Sequence, residues 1–175
     1  MPVRRSALPL RALTFVFATL LALSGPVAGR ELAIGDSLAV GLQGFCKLAG
    51  NGRIGRSPAA VLQVIEQLPP GQLAGATVIL SSGASNDPLH ADLALLQVVS
   101  LKRAGANVVL LGVGDGVKNY DAVNRQLIRI AAATGIPFVY GWHGVHPPDY
   151  PAVLAVALDS ERRLAARDAA NKFGF

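Results

Sequence analysis

From residue 31 onward the chain alternates between two spacings of apolar residues. Short apolar runs at 31–34, 77–80, 107–111 and 137–140 have the length of strands. Two of them, Thr77-Val78-Ile79-Leu80 and Val108-Val109-Leu110-Leu111, show no polar alternation, the pattern of strands covered on both faces. The intervening stretches carry helical spacing. Leu38, Val40 and Leu42 begin a predicted helix over 38–48. Val61, Leu62, Ile65 and Leu68 line a second, started by Ser57 as cap with Pro58 in the first position and ended by Pro69-Pro70-Gly71. Leu93, Leu96, Val99 and Leu101 fall in a helix over 89–104 that stops at Gly105. Val123, Leu127 and Ile130 share one face of a helix over 120–133 that stops near Gly135, and a last helix covers 149–171. A further short strand is expected around Arg53-Ile54.

Five strands alternating with helices predict an α/β domain. The sheet is parallel, covered on both faces and wound through right-handed crossovers, which makes a three-layer α/β/α sandwich. Nothing in 30–175 signals a repeat, a low-complexity segment or a second domain. Ligands of such open sheets bind beyond the carboxyl ends of the strands, at the switch in strand order. The loops that follow strands are therefore where chemistry is expected.

Residues 1–29 differ from the rest. Arg4, Arg5 and Arg11 accompany an apolar stretch at 13–23 and a run of small residues with a proline at 24–29, the layout of a secretory signal peptide. Cleavage is expected after Gly29, with Ala28 as the alternative. Arg4-Arg5 loosely resembles a twin-arginine signal. The apolar stretch falls short of the roughly 20 residues of a membrane span. The domain at 30–175 is thus expected to be exported, periplasmic or secreted, without stable membrane insertion. The leader holds three of the sixteen Lys and Arg and none of the eleven Asp and Glu, so a formal charge of +5 falls to +2 without it. Mild basicity with few aromatics gives no nucleic-acid signature. Cys46 is the single cysteine, which excludes an intramolecular disulfide; on an apolar helical pattern it is expected to be a buried small hydrophobe.

Four of the strand-following loops offer polar chemistry. Gly35-Asp36-Ser37 follows the first strand and places a serine where a helix begins. Unpaired N–H groups and the positive end of the helix dipole favour a developing oxyanion there, although a serine in that position is also a common helix cap. Gly55 follows the second strand, Asn86 the third and His146 the fifth. A serine, a base and several N–H donors on one rim are what acyl transfer needs. The glycines of 112–116 lack the spacing of a dinucleotide fingerprint and read as a flexible loop. His143, His146 and Asp149, with His90, also admit a zinc-ligand reading, against which Pro147 and Pro148 interrupt any regular helix through the trio.

Taken together these blocks resemble the SGNH (GDSL-type) hydrolases. Gly35-Asp36-Ser37-Leu38 matches the first block of that family and Gly55 in Arg53-Ile54-Gly55-Arg56 its second. Ser82-Gly83-Ala84-Ser85-Asn86-Asp87-Pro88 is similar to the third, and Gly144-Val145-His146-Pro147 to the fifth. The order and rough spacing hold along nearly the whole chain beyond the leader. The resemblance implies a flavodoxin-like fold and an esterase or acyl hydrolase that needs no metal or cofactor. Ser37 would be the nucleophile and His146 the general base, with the Ser37 and Gly55 N–H groups and the Asn86 amide as oxyanion hole.

One position departs from the family. Its fifth block usually reads Asp-x-x-His, and here the aspartate position is His143. Three arrangements stay open: a Ser37–His146 dyad with a backbone carbonyl, water or His143 as orienting partner; a carboxylate recruited from elsewhere, such as Asp115 or Asp149; or an envelope binding or accessory protein that keeps the fold with weak or no catalysis. For a Ser37–His146 dyad, the resemblance predicts that replacing His143 by Asp raises esterase activity. Arg53 and Arg56 flank Gly55 as solvated charges or as contacts to an anionic substrate, and Trp142 is either a wall of the site or a rim aromatic. A domain this short leaves little room for a lid. The expected substrate is therefore a small-molecule or polysaccharide ester of a short acyl group, such as acetyl.

Overall fold

The computed structural model describes residues 29–83 and 90–173. Residues 1–28 of the leader expected at 1–29, and Asn86 with its neighbours in 84–89, lie outside the described residues. The elements run β1 (Glu31–Gly35), α1 (Ser37–Cys46), β2 (Ala49–Gly52), α2 (Pro58–Gln67), a single turn α3 (Pro70–Leu73), β3 (Thr77–Ser81), α4 (Ala91–Arg103), β4 (Asn107–Leu111), α5 (Tyr120–Thr134), β5 (Phe138–Val139) and α6 (Tyr150–Phe173). All strand pairs are parallel, in the order β2-β1-β3-β4-β5. The order reverses between β1 and β3, and that switch point is where a ligand of such a sheet is held.

Alternating side chains of the strands feed two cores. Leu32, Ile34, Val78, Leu80, Val108 and Leu110 meet Val61 and Ile65 of α2, Val98 and Leu101 of α4, and Val123 and Leu127 of α5. On the other face Ala33, Ile79, Val109 and Leu111 meet Leu38 and Leu42 of α1 and Tyr150 and Ala157 of α6. The five-stranded parallel sheet between two helical layers is the three-layer sandwich that the sequence pattern predicts. Among the described residues no helix is long and apolar enough to cross a membrane.

The second strand is not where β propensity places it. β2 comes before Arg53-Ile54 and contains Ala49-Gly50-Asn51-Gly52, with Leu32 opposite Ala49 and Gly35 opposite Gly52. This edge strand is selected by closeness of approach. A Cβ on Gly50 would lie 2.0 Å from the Ala33 carbonyl oxygen. The β-branched Ile54 instead sits in the following turn, 74% exposed. Cys46 is half-buried rather than buried; burial and the charge of Asp149 both push its thiol pKa up.

At the switch point Gly35 brings β1 flush against the end of β3. It has φ +144, and a Cβ there would lie 1.8 Å from the Ser81 carbonyl oxygen. Gly35→Ala is expected to destabilise the protein by about 3 kcal/mol or more, since strain and overpacking coincide at one position. Chemical denaturation checks this, and an unchanged midpoint would contradict it.

Candidate active site

The turn after β1 determines what Ser37 is free to do. Asp36, only 2% exposed, is the helix N-cap: its Oδ1 accepts from Leu38 N at 3.0 Å and from Ser81 Oγ at 2.9 Å. The Asp36 N–H in turn donates to the Ser81 carbonyl at 3.3 Å. Ser37 is thereby the first residue of α1, and its hydroxyl is not consumed in capping. Its oxygen lies 2.9 Å from His146 Nε2 across 109 residues of sequence. With Nε2 unprotonated, the serine hydroxyl donates to the imidazole, the polarity a general base requires.

Gly55 stands in a turn fastened to the same place. The Arg56 N–H donates to the Arg53 carbonyl at 3.2 Å, and the Arg53 N–H donates to the Gly35 carbonyl at 3.1 Å. Arg56 Nη1 donates to Gly35 O at 3.3 Å and to Asn51 O at 2.6 Å, and Nη2 to Asn51 Oδ1 at 2.8 Å. The guanidinium thus ties the loop after β2 to the residue that precedes Asp36 and Ser37. Partial burial and the charge of Arg53 both lower its pKa. Gly55 itself has φ +70 and faces open space. That left-handed conformation favours glycine at this position.

The loop after β5 carries His146 and is held by Asp115 from the loop after β4. Asp115 Oδ2 lies 2.8 Å from His143 Nδ1, and Oδ1 accepts from the Gly144 N–H at 2.6 Å. The bonds to His143 and Gly144 hold the Asp115 carboxyl below its ordinary pKa. It therefore stays ionised at neutral pH, and its part in the clamp is lost only as pH falls through that lowered value. The two loops also touch along their backbones, where a Cβ on Gly114 would lie 2.0 Å from the Gly144 carbonyl oxygen.

The remaining candidates take other places. His143 is 98% exposed in its side chain and pairs with Asp115. Asp149 caps α6, its Oδ1 accepting from the Ala152 N–H at 2.9 Å. His143, His146 and Asp149 therefore turn to three separate partners, and His90 begins α4 without a side-chain cap bond. Among the described residues no group of three or more His, Cys, Asp or Glu is gathered as a metal site. Trp142 is 8% exposed and belongs to the core beside Val139 and Tyr150. Its Nε1–H points to the Val145 carbonyl at 3.5 Å, so it anchors the histidine loop from below. No hydrogen bond reaches His146 Nδ1 from the described residues. Ser81, which braces Asp36, escapes a reading of the sequence, because only the pairing of β1 with β3 reveals it.

No protein-family model matches the sequence, and no curated protein matches it. Solved structures do share its fold. A GDSL-like lipase from Bacteroides thetaiotaomicron superposes with a TM-score of 0.57 at 17% identity, over 87% of this chain and 97% of that one. The C-terminal catalytic domain of peptidoglycan O-acetyltransferase A from Streptococcus pneumoniae, bearing a methylsulfonyl adduct, gives 0.54 at 18% identity, over 78% and 96%. A psychrotrophic esterase from Pseudoalteromonas, inhibited by monoethylphosphonate, gives 0.54 at 15% identity, over 78% and 98%. The chain has the fold of the SGNH (GDSL-type) hydrolases.

Proposed function

We propose that this protein is an exported serine hydrolase of short-acyl esters, such as acetyl groups on a polysaccharide. The observation that carries the reading is the 2.9 Å contact between Ser37 Oγ and His146 Nε2 at the carboxyl end of the sheet. Ser37 Oγ attacks the acyl carbonyl carbon as its proton passes to His146 Nε2. The oxyanion that forms is met by the N–H groups of Ser37 and Gly55 and by the Asn86 amide, donors that each contribute about 100- to 1,000-fold in related sites. Collapse expels the alcohol, which takes the proton from His146. Water then attacks the acyl-enzyme with His146 again as base, releasing the acid and restoring Ser37.

Asp115 acts here as a positioning residue. It fixes the loop that presents His146 by gripping His143 and Gly144, three and two residues before the base. This reverses the sign expected from sequence for His143→Asp. A second carboxylate at 143 would face Asp115 across a contact now 2.8 Å long. Like charges at that range raise one pKa and loosen the clamp. His143→Asp alone is expected to lower kcat/KM about tenfold, the cost of a misaligned base, and adding Asp115→Asn to recover most of the loss. A rise with the single exchange would contradict the clamp.

Initial rates on 4-nitrophenyl acetate, butyrate and octanoate test the reading as a whole. Acetate is expected to exceed octanoate in kcat/KM by at least about tenfold, the scale on which a site for short acyl groups discriminates against added methylenes. Preference for octanoate, or no turnover of any of the three, would overturn it. The absence of a carboxylate on His146 Nδ1 within the described residues supports a second reading, an envelope binding protein with little turnover. Absence of hydrolysis together with retained folding would favour that one.

A further inference from the structure

Between the loops that follow β4 and β5 lies a cavity of about 180 Å3 bordered by Asp115, Tyr120, Asn124, Tyr140, Trp142 and His143. Its walls combine exposed aromatic surface with fixed polar groups. Tyr120 is 37% and Tyr140 55% exposed. The Tyr140 ring is already seated: it stacks on Phe138 with centroids 5.1 Å apart, so little freedom is lost when a ligand covers it. Asn124 cannot serve a ligand freely, because its amide both accepts from Val113 N and donates to Val113 O at 2.9 Å. Asp115 can. Its two bonds to His143 and Gly144 leave lone pairs of a carboxylate that is still 41% exposed.

We propose that this cavity is a subsite for one sugar ring of the ester's alcohol portion, a neutral or amino hexose. The proposal rests on the ester-hydrolase reading. The volume suits one ring. A pyranose presents an apolar C–H face to Tyr140 and Tyr120 and hydroxyls to the Asp115 carboxylate. His143 of the cavity wall and the catalytic base His146 belong to the same loop, the one that follows β5, which links the cavity to the catalytic pair. The ionised Asp115 opposes a uronate in the same place, since like charges side by side are disfavoured. A long acyl chain finds no match in a short cavity with a carboxylate at its wall.

Trp142 is the single tryptophan of the chain and borders the cavity, so intrinsic fluorescence reports occupancy directly. Titrating the Ser37→Ala protein with mannan-derived and chitosan-derived oligosaccharides is expected to change Trp142 emission saturably. Galacturonate oligomers are expected to bind about tenfold more weakly. Tyr140→Ala is expected to raise Kd about tenfold, the usual scale for truncating an aromatic anchor. Tyr140→Phe, which keeps the stack on Phe138, should stay within about threefold of the parent. In the Ser37-containing protein, Tyr140→Ala is expected to leave 4-nitrophenyl acetate turnover within about twofold, which also reports intact folding. No saturable change with either sugar, a Kd indifferent to Tyr140→Ala, or a response to choline in place of sugars overturns the subsite. Those outcomes leave ester hydrolysis standing, because 4-nitrophenyl acetate turnover reads it separately.

Discussion

Ser37→Ala is expected to lower kcat on 4-nitrophenyl acetate about 1,000-fold, and the size of that loss is informative. In a serine protease, removing the nucleophile costs about 2 × 10⁶ in kcat and removing the orienting carboxylate alone about 3 × 10⁴. Their ratio, about 70, is what a serine contributes when its histidine has no carboxylate partner. His146 has none within the described residues, so a loss near 100-fold would mean that the clamp on its loop does little. The bonds from Asp115 to His143 and Gly144 fix where the ring sits without neutralising its positive charge. Orientation is then partly recovered and charge stabilisation is not, which places the expected loss between about 100-fold and the 10⁶ of a full triad. Activity that stays within tenfold of the parent would contradict a serine mechanism. Steady-state rates of the two proteins, matched by circular dichroism, check it.

His146→Ala is expected to cost nearly as much, and the double variant almost no more than either. Nucleophile and base act as one unit, so their losses do not add. The reason is visible at the turn after β1. With Asp36 capping α1, the Ser37 hydroxyl has His146 as its partner, and a serine without a base is a poor nucleophile at neutral pH. Added imidazole should restore part of the His146→Ala activity and none of the Ser37→Ala activity. Additive losses in the double variant would mean that the two residues serve separate functions.

Much of this was legible in the sequence, for physical reasons that also explain the failures. β3 and β4 announce themselves because a strand buried on both faces carries a continuous apolar run, here 78–80 and 108–111. The helices show because one face of each is buried. β2 escapes the sequence pattern because its Gly50 and Gly52 are chosen for nearness to β1 and α1, a requirement that no propensity scale contains. The serine block is visible in the sequence, but whether Ser37 is the cap of α1 depends on Asp36, whose buried carboxylate bridges Leu38 and Ser81 and takes that role. Asp115 could be named among several carboxylates and not assigned. Its partners lie 28 and 29 residues away, brought close only because β4 and β5 are neighbours in the sheet. The same pairing turns the expected effect of His143→Asp from a gain into a loss. Arg56 beside Gly55 is fastened to Gly35 and Asn51, a role visible only once β2 is placed against β1.

The central claim is that Ser37 is a nucleophile activated by His146. Reaction of the folded protein with a fluorophosphonate probe, followed by peptide mass spectrometry, measures that directly. The expected result is one adduct per chain on Ser37, formed at least about 100-fold faster than in the His146→Ala protein. A folded protein in which Ser37 stays unmodified, or is modified at the same rate without His146, would contradict it.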